Sequence, residues 1–228
     1  MSGQAAAPDL VIFDCDGVLV DSEPISLRLL LDTLARAGLE FDPEEAHRRF
    51  LGRSLATTRE ILAEEYGLTL SDAALGEMRN RLYAAFRAEL SPIPHVADTL
   101  DALPLAVCVA SSSQPERIRL SLTVTGLWPK FSGHVFSATM VPRGKPAPDL
   151  FLYAADRMGY PPGACLVVED SPAGITAAQA ARMRVVAFTG GSHATTDRHR
   201  AEIAALAPDA VIDDIRALVS LCGAELRA

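Results

Sequence analysis

Acidic, hydroxyl and lysine side chains follow several of the apolar runs in this sequence. Asp14 and Asp16 come after the first run, Ser111-Ser112-Ser113 after the second, Lys145 at some distance after a third, and Glu169-Asp170 after a later one. If these runs are parallel strands of one sheet, their carboxyl ends lie at one edge. We therefore expect these side chains to converge on one place.

Four carboxylates in one place would repel each other and raise each other's pKa unless a cation compensates. Oxygen-only ligands suit a hard cation, and Mg²⁺, which binds through few carboxylates together with substrate phosphate, fits this set. The residues alone also allow simpler interpretations. The aspartates could cap turns, the serines could form a solvated turn, and the later acidic pair could cap the next helix.

Strands and helices alternate along most of the chain, as in an α/β fold with a doubly wound parallel sheet. The apolar runs bounded by turn residues predict six strands, the third of them weaker than the others. Helix-length segments with apolar residues at helical spacing separate the later strands. The six strands are predicted at residues 10–13, 105–110, 134–136, 165–168, 185–188 and 210–212.

The alternation is interrupted after the first strand, where residues 21–90 contain only helical patterns. Four helices are expected there, at Pro24–Ala37, from Pro43, at Ser54–Tyr66 and after Ser71. This stretch is far longer than an ordinary strand-to-helix connection. We therefore predict a catalytic core made of residues 1–20 and 93–228, with an inserted all-helical domain at 21–92.

The composition predicts a reduced cytoplasmic protein. A chain of 228 residues, 49% hydrophobic and 22% charged, can bury a substantial core. The net charge of -8 argues against nucleic-acid and anionic-membrane partners. The first eight residues lack the basic segment of an export signal, and no apolar run reaches membrane-spanning length. The four cysteines are widely spaced and form no C-x-x-C pair.

Four segments in order resemble the motifs of the haloacid dehalogenase superfamily, in the branch of phosphatases and phosphomutases that carry a helical cap. The segments are VIFDCDGVLVDSE at 11–23, VASSS at 109–113, GKPAPD at 144–149 and VEDSPAGI at 168–175. Their order along nearly the whole chain is a more specific signal than a lone D-x-D. The helical insertion lies where this branch carries its cap.

The resemblance implies a role for each motif residue. Asp14 corresponds to the nucleophile that forms an aspartyl-phosphate, and Asp16 to the general acid and base. Ser111, with the backbone near Ser112, would hold phosphate oxygens, and Lys145 would offset negative charge. Mg²⁺ would lie between the metal ligands, which would be Asp14, the Asp16 carbonyl, Asp170 and Glu169.

Several related activities are less compatible with the sequence. Dehalogenases of the superfamily replace the second aspartate, and phosphonatases use a cap lysine, whereas residues 21–90 contain no lysine. The sugar phosphomutases place a histidine where this chain has Ser26, so hydrolysis is the simpler expectation and a mutase the alternative. A signalling receiver domain would carry its acceptor and its acidic pair in another order. A non-catalytic sugar-phosphate binder on the same fold would not need every one of these groups.

The expected substrate is a small phosphorylated sugar or sugar acid, and the protein is expected to be a monomer or a weak homodimer. The turn containing Arg53 resembles a cap loop that faces the site in relatives, so Arg53 is a candidate for a second anionic or hydroxyl-rich group. A surface arginine is an equally good interpretation. His193, after a Gly-Gly turn, is expected to be solvated and not catalytic.

Overall fold

The computed structural model describes residues 7–50, 55–131 and 133–223. Within them, six parallel strands form one sheet in the order β3-β2-β1-β4-β5-β6. The strands are β1 (Leu10–Phe13), β2 (Ala106–Ser111), β3 (Val135–Ser137), β4 (Cys165–Glu169), β5 (Arg184–Phe188) and β6 (Ala210–Ile212). Each begins or ends within one residue of its predicted position. The chain order reverses on either side of β1, which makes the sheet doubly wound.

Helices follow the strands and fill the insertion. The insertion carries α1 (Glu23–Arg36), α2 (Pro43–Phe50), α3 (Leu55–Tyr66) and α4 (Asp72–Glu89). The remaining helices are α5 (Val96–Ala102), α6 (Pro115–Val124), α7 (Trp128–Phe131), α8 (Asp149–Met158), α9 (Pro172–Ala180), α10 (Asp197–Ala205) and α11 (Ala217–Leu221). Between residues 21 and 90, the described part of the chain contains helices and no strand, as expected from the sequence.

The central strand explains why helices cover both faces of the sheet. All four residues of β1 are fully buried, and successive side chains point to opposite faces. Val11 and Phe13 pack into one core cluster, while Leu10 and Ile12 pack into the other. A strand that is apolar on both faces needs helices on each side.

The inserted helices bury a separate small core. Leu34, Phe50, Leu62 and Leu75 come from α1, α2, α3 and α4 and form a cluster distinct from the two sheet cores. Each of these side chains is at most 8% exposed. The helices therefore support each other and do not depend only on contacts with the sheet.

The entrance and exit of the insertion run side by side. The backbone N–H of Asp21 donates to the carbonyl of Ser91 at 3.0 Å, and that of Ile93 donates to the carbonyl of Leu19 at 3.0 Å. Val20 and Pro92 form an antiparallel bridge between these two bonds. The two linkers thus form a short two-stranded connection next to the carboxyl end of β1.

All four cysteines are buried free thiols, as expected for small hydrophobic side chains in apolar runs. Among the described residues, no helix combines the length and apolar character needed to cross a bilayer.

Candidate active site

The predicted site residues lie together at the carboxyl edge of the sheet. Asp14 directly follows β1, and its backbone N–H donates to the carbonyl of Val168 in β4 at 3.0 Å. Ser111 ends β2 and Glu169 ends β4. Because these parallel strands are adjacent in the sheet, their last residues are neighbours in space.

Lys145 connects two carboxylates at the centre of the site. Its Nζ atom donates to Asp14 Oδ1 at 2.6 Å, to Glu169 Oε1 at 2.6 Å and to the carbonyl of Ala110 at 2.9 Å. The Lys145 side chain is only 3% exposed. Its ammonium group also lies 4.8 Å from the centroid of the Phe151 ring. These contacts fix the lysine and leave it little freedom to reach solvent.

The charges at the centre are unbalanced. Burial, together with the charges of Glu169, Asp170 and Asp16, raises the pKa of Asp14 well above its usual value, although Lys145 acts in the opposite direction. Burial alone would lower the pKa of Lys145, but Asp14 and Glu169 raise it above its usual value. One buried cation therefore does not neutralise the carboxylates around it.

Asp16 has a different environment from Asp14. Its Oδ1 accepts from Ser22 Oγ at 2.6 Å and from the Arg117 guanidinium at 2.8 Å, and its Oδ2 accepts from Ser113 Oγ at 2.6 Å. Although burial acts in the other direction, Arg117, Ser113 and Ser22 lower the pKa of Asp16. The two aspartates thus differ in protonation tendency, a separation typical of carboxylates with different chemical tasks.

The serines after β2 occupy distinct positions. Ser111 is 1% exposed, and its Oγ accepts from the backbone N–H of Ser113 at 3.1 Å. Ser137 Oγ donates to the carbonyl of Ser113 at 2.7 Å. Ser112 is half-buried beside them. The turn is therefore fixed by its own hydroxyls, and its position at the edge suits an oxyanion.

Glu169 holds the turn that leads from β4 to α9. Its Oε2 accepts from the backbone N–H groups of Asp170 and Ser171, at 3.0 and 2.9 Å, and from Ser171 Oγ at 2.9 Å. Ser171 Oγ in turn caps α9 by accepting from the N–H of Gly174 at 3.1 Å. Ser171 is thus the N-cap of α9. Glu169 supports Ser171 through one carboxylate oxygen and accepts from Lys145 through the other.

His193 lies inside the site, so the expectation of a solvated histidine is wrong. The side chain is buried, and its Nε2 lies 2.8 Å from Asp170 Oδ2. Burial disfavours the cation, but the hydrogen bond and charge of Asp170 raise the pKa of His193 to about 9. Gly17 makes this packing possible, because it has a positive φ of 82° and any side chain there would overlap Asp170 and the imidazole.

Glu23, the first residue of α1, is a further buried carboxyl beside the site. Burial and the charge of Asp16 raise the pKa of Glu23 to about 7, while Arg117 and His193 act in the opposite direction. Sequence reasoning assigned no role to Glu23 or Arg117. Glu23 ends the first motif segment, but its burial beside the site is not evident from its position there. Arg117 gives no signal because it lies 101 positions from Asp16.

The donor set fits a hard divalent cation that completes its shell with other oxygens. Asp14 and Asp170 each have one carboxylate oxygen engaged, by Lys145 and His193 respectively. Within the described ranges, no three His, Cys, Asp or Glu side chains form a ready-made metal cage. Mg²⁺ typically binds through few carboxylates together with other oxygens, and Asp14 and Asp170 each offer a carboxylate. Arg53 lies outside the described residues.

A carboxylate at the end of the central strand, a buried lysine beside it and a helical insertion on a doubly wound sheet are together typical of an enzyme of the α/β class. The haloacid dehalogenase-like hydrolase family model matches residues 8–182. The chain therefore belongs to this family.

Relatives of known activity and structure lie in the same family. The chain is 32% identical over 186 residues to a 6-phosphogluconate phosphatase of Escherichia coli, covering 81% of this chain and 84% of the relative. It is 36% identical to a haloacid dehalogenase-like protein of unknown function from Agrobacterium tumefaciens, with a TM-score of 0.81 and coverages of 94% and 97%.

A third relative has ligands in its structure. A HAD family hydrolase from Deinococcus radiodurans, solved with bound phosphate and sodium, is 31% identical with a TM-score of 0.75, and the match covers 96% of this chain and 97% of that one. With the curated relatives, these findings make the chain a phosphatase of the haloacid dehalogenase family.

Proposed function

We propose that this phosphatase hydrolyses a small phosphate monoester, a sugar or sugar-acid phosphate, through an aspartyl-phosphate on Asp14. The observation that carries the proposal is the 2.6 Å contact between Lys145 Nζ and Asp14 Oδ1. A buried ammonium at this distance holds the carboxylate in one orientation and offsets charge where a phosphoryl group would bind. The second oxygen of Asp14 is then the attacking atom.

In the first half-reaction, Asp14 forms a bond to phosphorus as the ester P–O bond breaks, and Asp16 donates a proton to the departing alcohol. In the second, Asp16 takes a proton from water while the water oxygen displaces Asp14 from phosphorus. Ser111 and the following backbone hold phosphate oxygens, and Lys145 stabilises the charge on them. Bound Mg²⁺ would supply further charge neutralisation.

Asp14, the Asp16 carbonyl and Asp170 are the proposed Mg²⁺ ligands. We assign Glu169 chiefly to holding Lys145, because both of its carboxylate oxygens are already engaged by donors. His193, whose Nε2 lies 2.8 Å from Asp170 Oδ2, would orient Asp170 for this ligand role. The residues needed to bind and orient the reacting groups are therefore distributed over three strand ends.

The substrate class rests on the relative and on the insertion. A 6-phosphogluconate phosphatase is similar over most of this chain, which supports a phosphorylated sugar acid or sugar. We propose that residues 21–92 form the cap that closes over the site and that Arg53 contacts the distal part of the substrate. Ser26 Oγ donates to the carbonyl of Ser22 at 2.9 Å, a structural role that favours hydrolysis over a mutase reaction.

A panel of sugar phosphates and sugar-acid phosphates tests the proposal, assayed by release of inorganic phosphate with Mg²⁺ and with EDTA. Wild-type protein should turn over at least one of them and lose activity in EDTA. Asp14→Asn should abolish turnover, whereas Asp9→Asn, an exposed aspartate at the other end of the same strand, should retain it. Undiminished activity of Asp14→Asn would overturn the mechanism.

A further inference from the structure

Arg117 lies in the first turn of α6 and reaches across the site to Asp16. One guanidinium nitrogen donates to Asp16 Oδ1 at 2.8 Å and to Ser26 Oγ at 3.1 Å. The guanidinium carbon lies 5.2 Å from the centroid of the Phe86 ring. The Arg117 side chain is 21% exposed and that of Asp16 is 12% exposed. This ion pair is therefore largely withdrawn from solvent. Charge-assisted hydrogen bonds are stronger there than in water.

The contacts of Arg117 come from three separate parts of the chain. Asp16 belongs to the turn after β1, Ser26 to the first helix of the insertion, and Phe86 to its last helix. The aromatic face and the hydroxyl constrain the guanidinium from two sides. Arg117 is thus held by contacts with the insertion, through Ser26 and Phe86, and with the core, through Asp16.

The other donors to Asp16 restrain it less. Ser22 and Ser113 each offer one hydroxyl at 2.6 Å, and a hydroxyl can rotate to follow a moving carboxylate. Arg117 instead presents a planar, permanently charged group whose hydrogen-bond directions are set by the fork. Among the described partners of Asp16, Arg117 is the only cation, and it is the one that resists rotation of the carboxylate.

We propose that Arg117 is a positioning residue that holds the Asp16 carboxylate in the orientation needed for both proton transfers of the phosphatase reaction. This inference rests on the proposed function. Asp16 gives its proton to the leaving alkoxide when the ester P–O bond breaks. It regains one from water when the bond between phosphorus and Asp14 breaks. Arg117 itself touches neither the phosphorus nor the leaving group.

A series of phosphate esters with different leaving groups separates positioning from general damage. Release of 4-nitrophenolate needs little protonation, whereas release of an alkyl alcohol depends on a well-placed acid. Arg117→Ala should lower kcat/KM for alkyl phosphates about 100-fold, the scale of general acid catalysis, and for 4-nitrophenyl phosphate by less than about 5-fold. Arg117→Lys, which keeps the charge, should recover part of the loss.

Arg119→Ala is the matched control. Arg119 lies on the same helix, is exposed, and has its guanidinium 5.3 Å from the Trp128 ring centroid. Its removal should leave the whole leaving-group series unchanged. Circular dichroism and thermal unfolding of each variant show whether a loss reflects misfolding.

A double-mutant cycle with Asp16→Asn gives the decisive readout. If Arg117 acts through Asp16, the roughly 100-fold loss that Arg117→Ala causes for alkyl phosphates should shrink to less than about 2-fold when it is measured in the Asp16→Asn background. Fully additive losses, or an equal loss for every ester in an active folded enzyme, would refute the positioning role while leaving the proposed function intact. A wild-type enzyme with no phosphatase turnover would instead reject the proposed function, and this inference with it.

Discussion

The Nζ atom of Lys145 lies 2.6 Å from Oδ1 of Asp14 and is equally close to Oε1 of Glu169. One buried ammonium group is therefore shared between the first and fourth strands of the sheet. The lysine does more than neutralise charge, because it fixes the direction of the candidate nucleophile relative to the rest of the site.

Comparing the replacement of Lys145 with that of a second lysine tests whether the position of the charge, and not only its presence, matters for activity. The sequence has one other lysine, Lys130, which pairs with Asp101 away from the site. We expect Lys145→Ala to lower kcat at least about 100-fold, since a preorganised charge at the reacting group is lost. Lys130→Ala should keep wild-type kcat. Similar losses in both variants would show that Lys145 has no special task.

Gly174 tests the position of Glu169 without changing any charge. A methyl group at residue 174 would overlap the Glu169 carboxylate, whereas one at Gly76 in α4 meets nothing within 4 Å. Gly174→Ala should displace Glu169 from Lys145, lower activity and reduce the melting temperature. Gly76→Ala should keep activity and raise stability by about 1 kcal/mol, since alanine favours helix. Full activity of Gly174→Ala would argue against a fixed Glu169.

The buried carboxyl of Glu23 should make stability depend on pH. Folding raises the pKa of this group from 4.5 to about 7, so between these values the folded state holds its proton more tightly than the unfolded state. The stability that Glu23 contributes is complete below about pH 4.5 and is lost as the pH rises through about 7.

Glu23→Gln should therefore increase the free energy of unfolding at pH 8 by about 1–3 kcal/mol and flatten its slope between pH 5 and 7. Urea unfolding in EDTA across this range measures the effect. Glu60→Gln, at an exposed position of α3, controls for the change in net charge. If the slope is unchanged in Glu23→Gln, burial does not raise the pKa of the Glu23 carboxyl.

His193 should influence metal affinity through Asp170, which it contacts at 2.8 Å. Loss of a group that orients a metal ligand typically weakens binding by about 10- to 100-fold. We expect His193→Asn to weaken Mg²⁺ binding by about 10-fold in calorimetric titration. His134→Asn, an exposed histidine, should bind as the wild type does. Equal affinity in His193→Asn would restrict its role to packing.

The sequence predicts the sheet well because each strand is a short apolar run bounded by turn residues. Residues 10–13 are buried on both faces, and such a run has few alternatives. Asp14, Ser111 and Glu169 lie at strand ends, so the strand pattern places them at one edge of the sheet. Lys145, and the role of each residue, were instead expected from the resemblance of the four motifs.

Arg117 and His193 could not be found in this way, for two physical reasons. Arg117 is separated from Asp16 by 101 positions, and its helix α6 was not anticipated, so nothing pointed to their contact. The Gly190-Gly191 turn indicates a chain reversal, but a side chain at Gly191 would also overlap the imidazole of His193. The sequence pattern predicts the turn, but it does not predict which side chain packs against it.

The hydrogen-bonded linkers at Leu19–Asp21 and Ser91–Ile93 have an evolutionary consequence. Since the two junctions already touch, the span between them can lengthen, shorten or be exchanged without pulling β1 away from its neighbours. Exchange of α2 and α3, in the middle of the insertion, would leave in place the contacts that Ser22, Ser26 and Phe86 make with Asp16 and Arg117. The middle of the insertion can therefore vary between proteins without disturbing the support of Asp16.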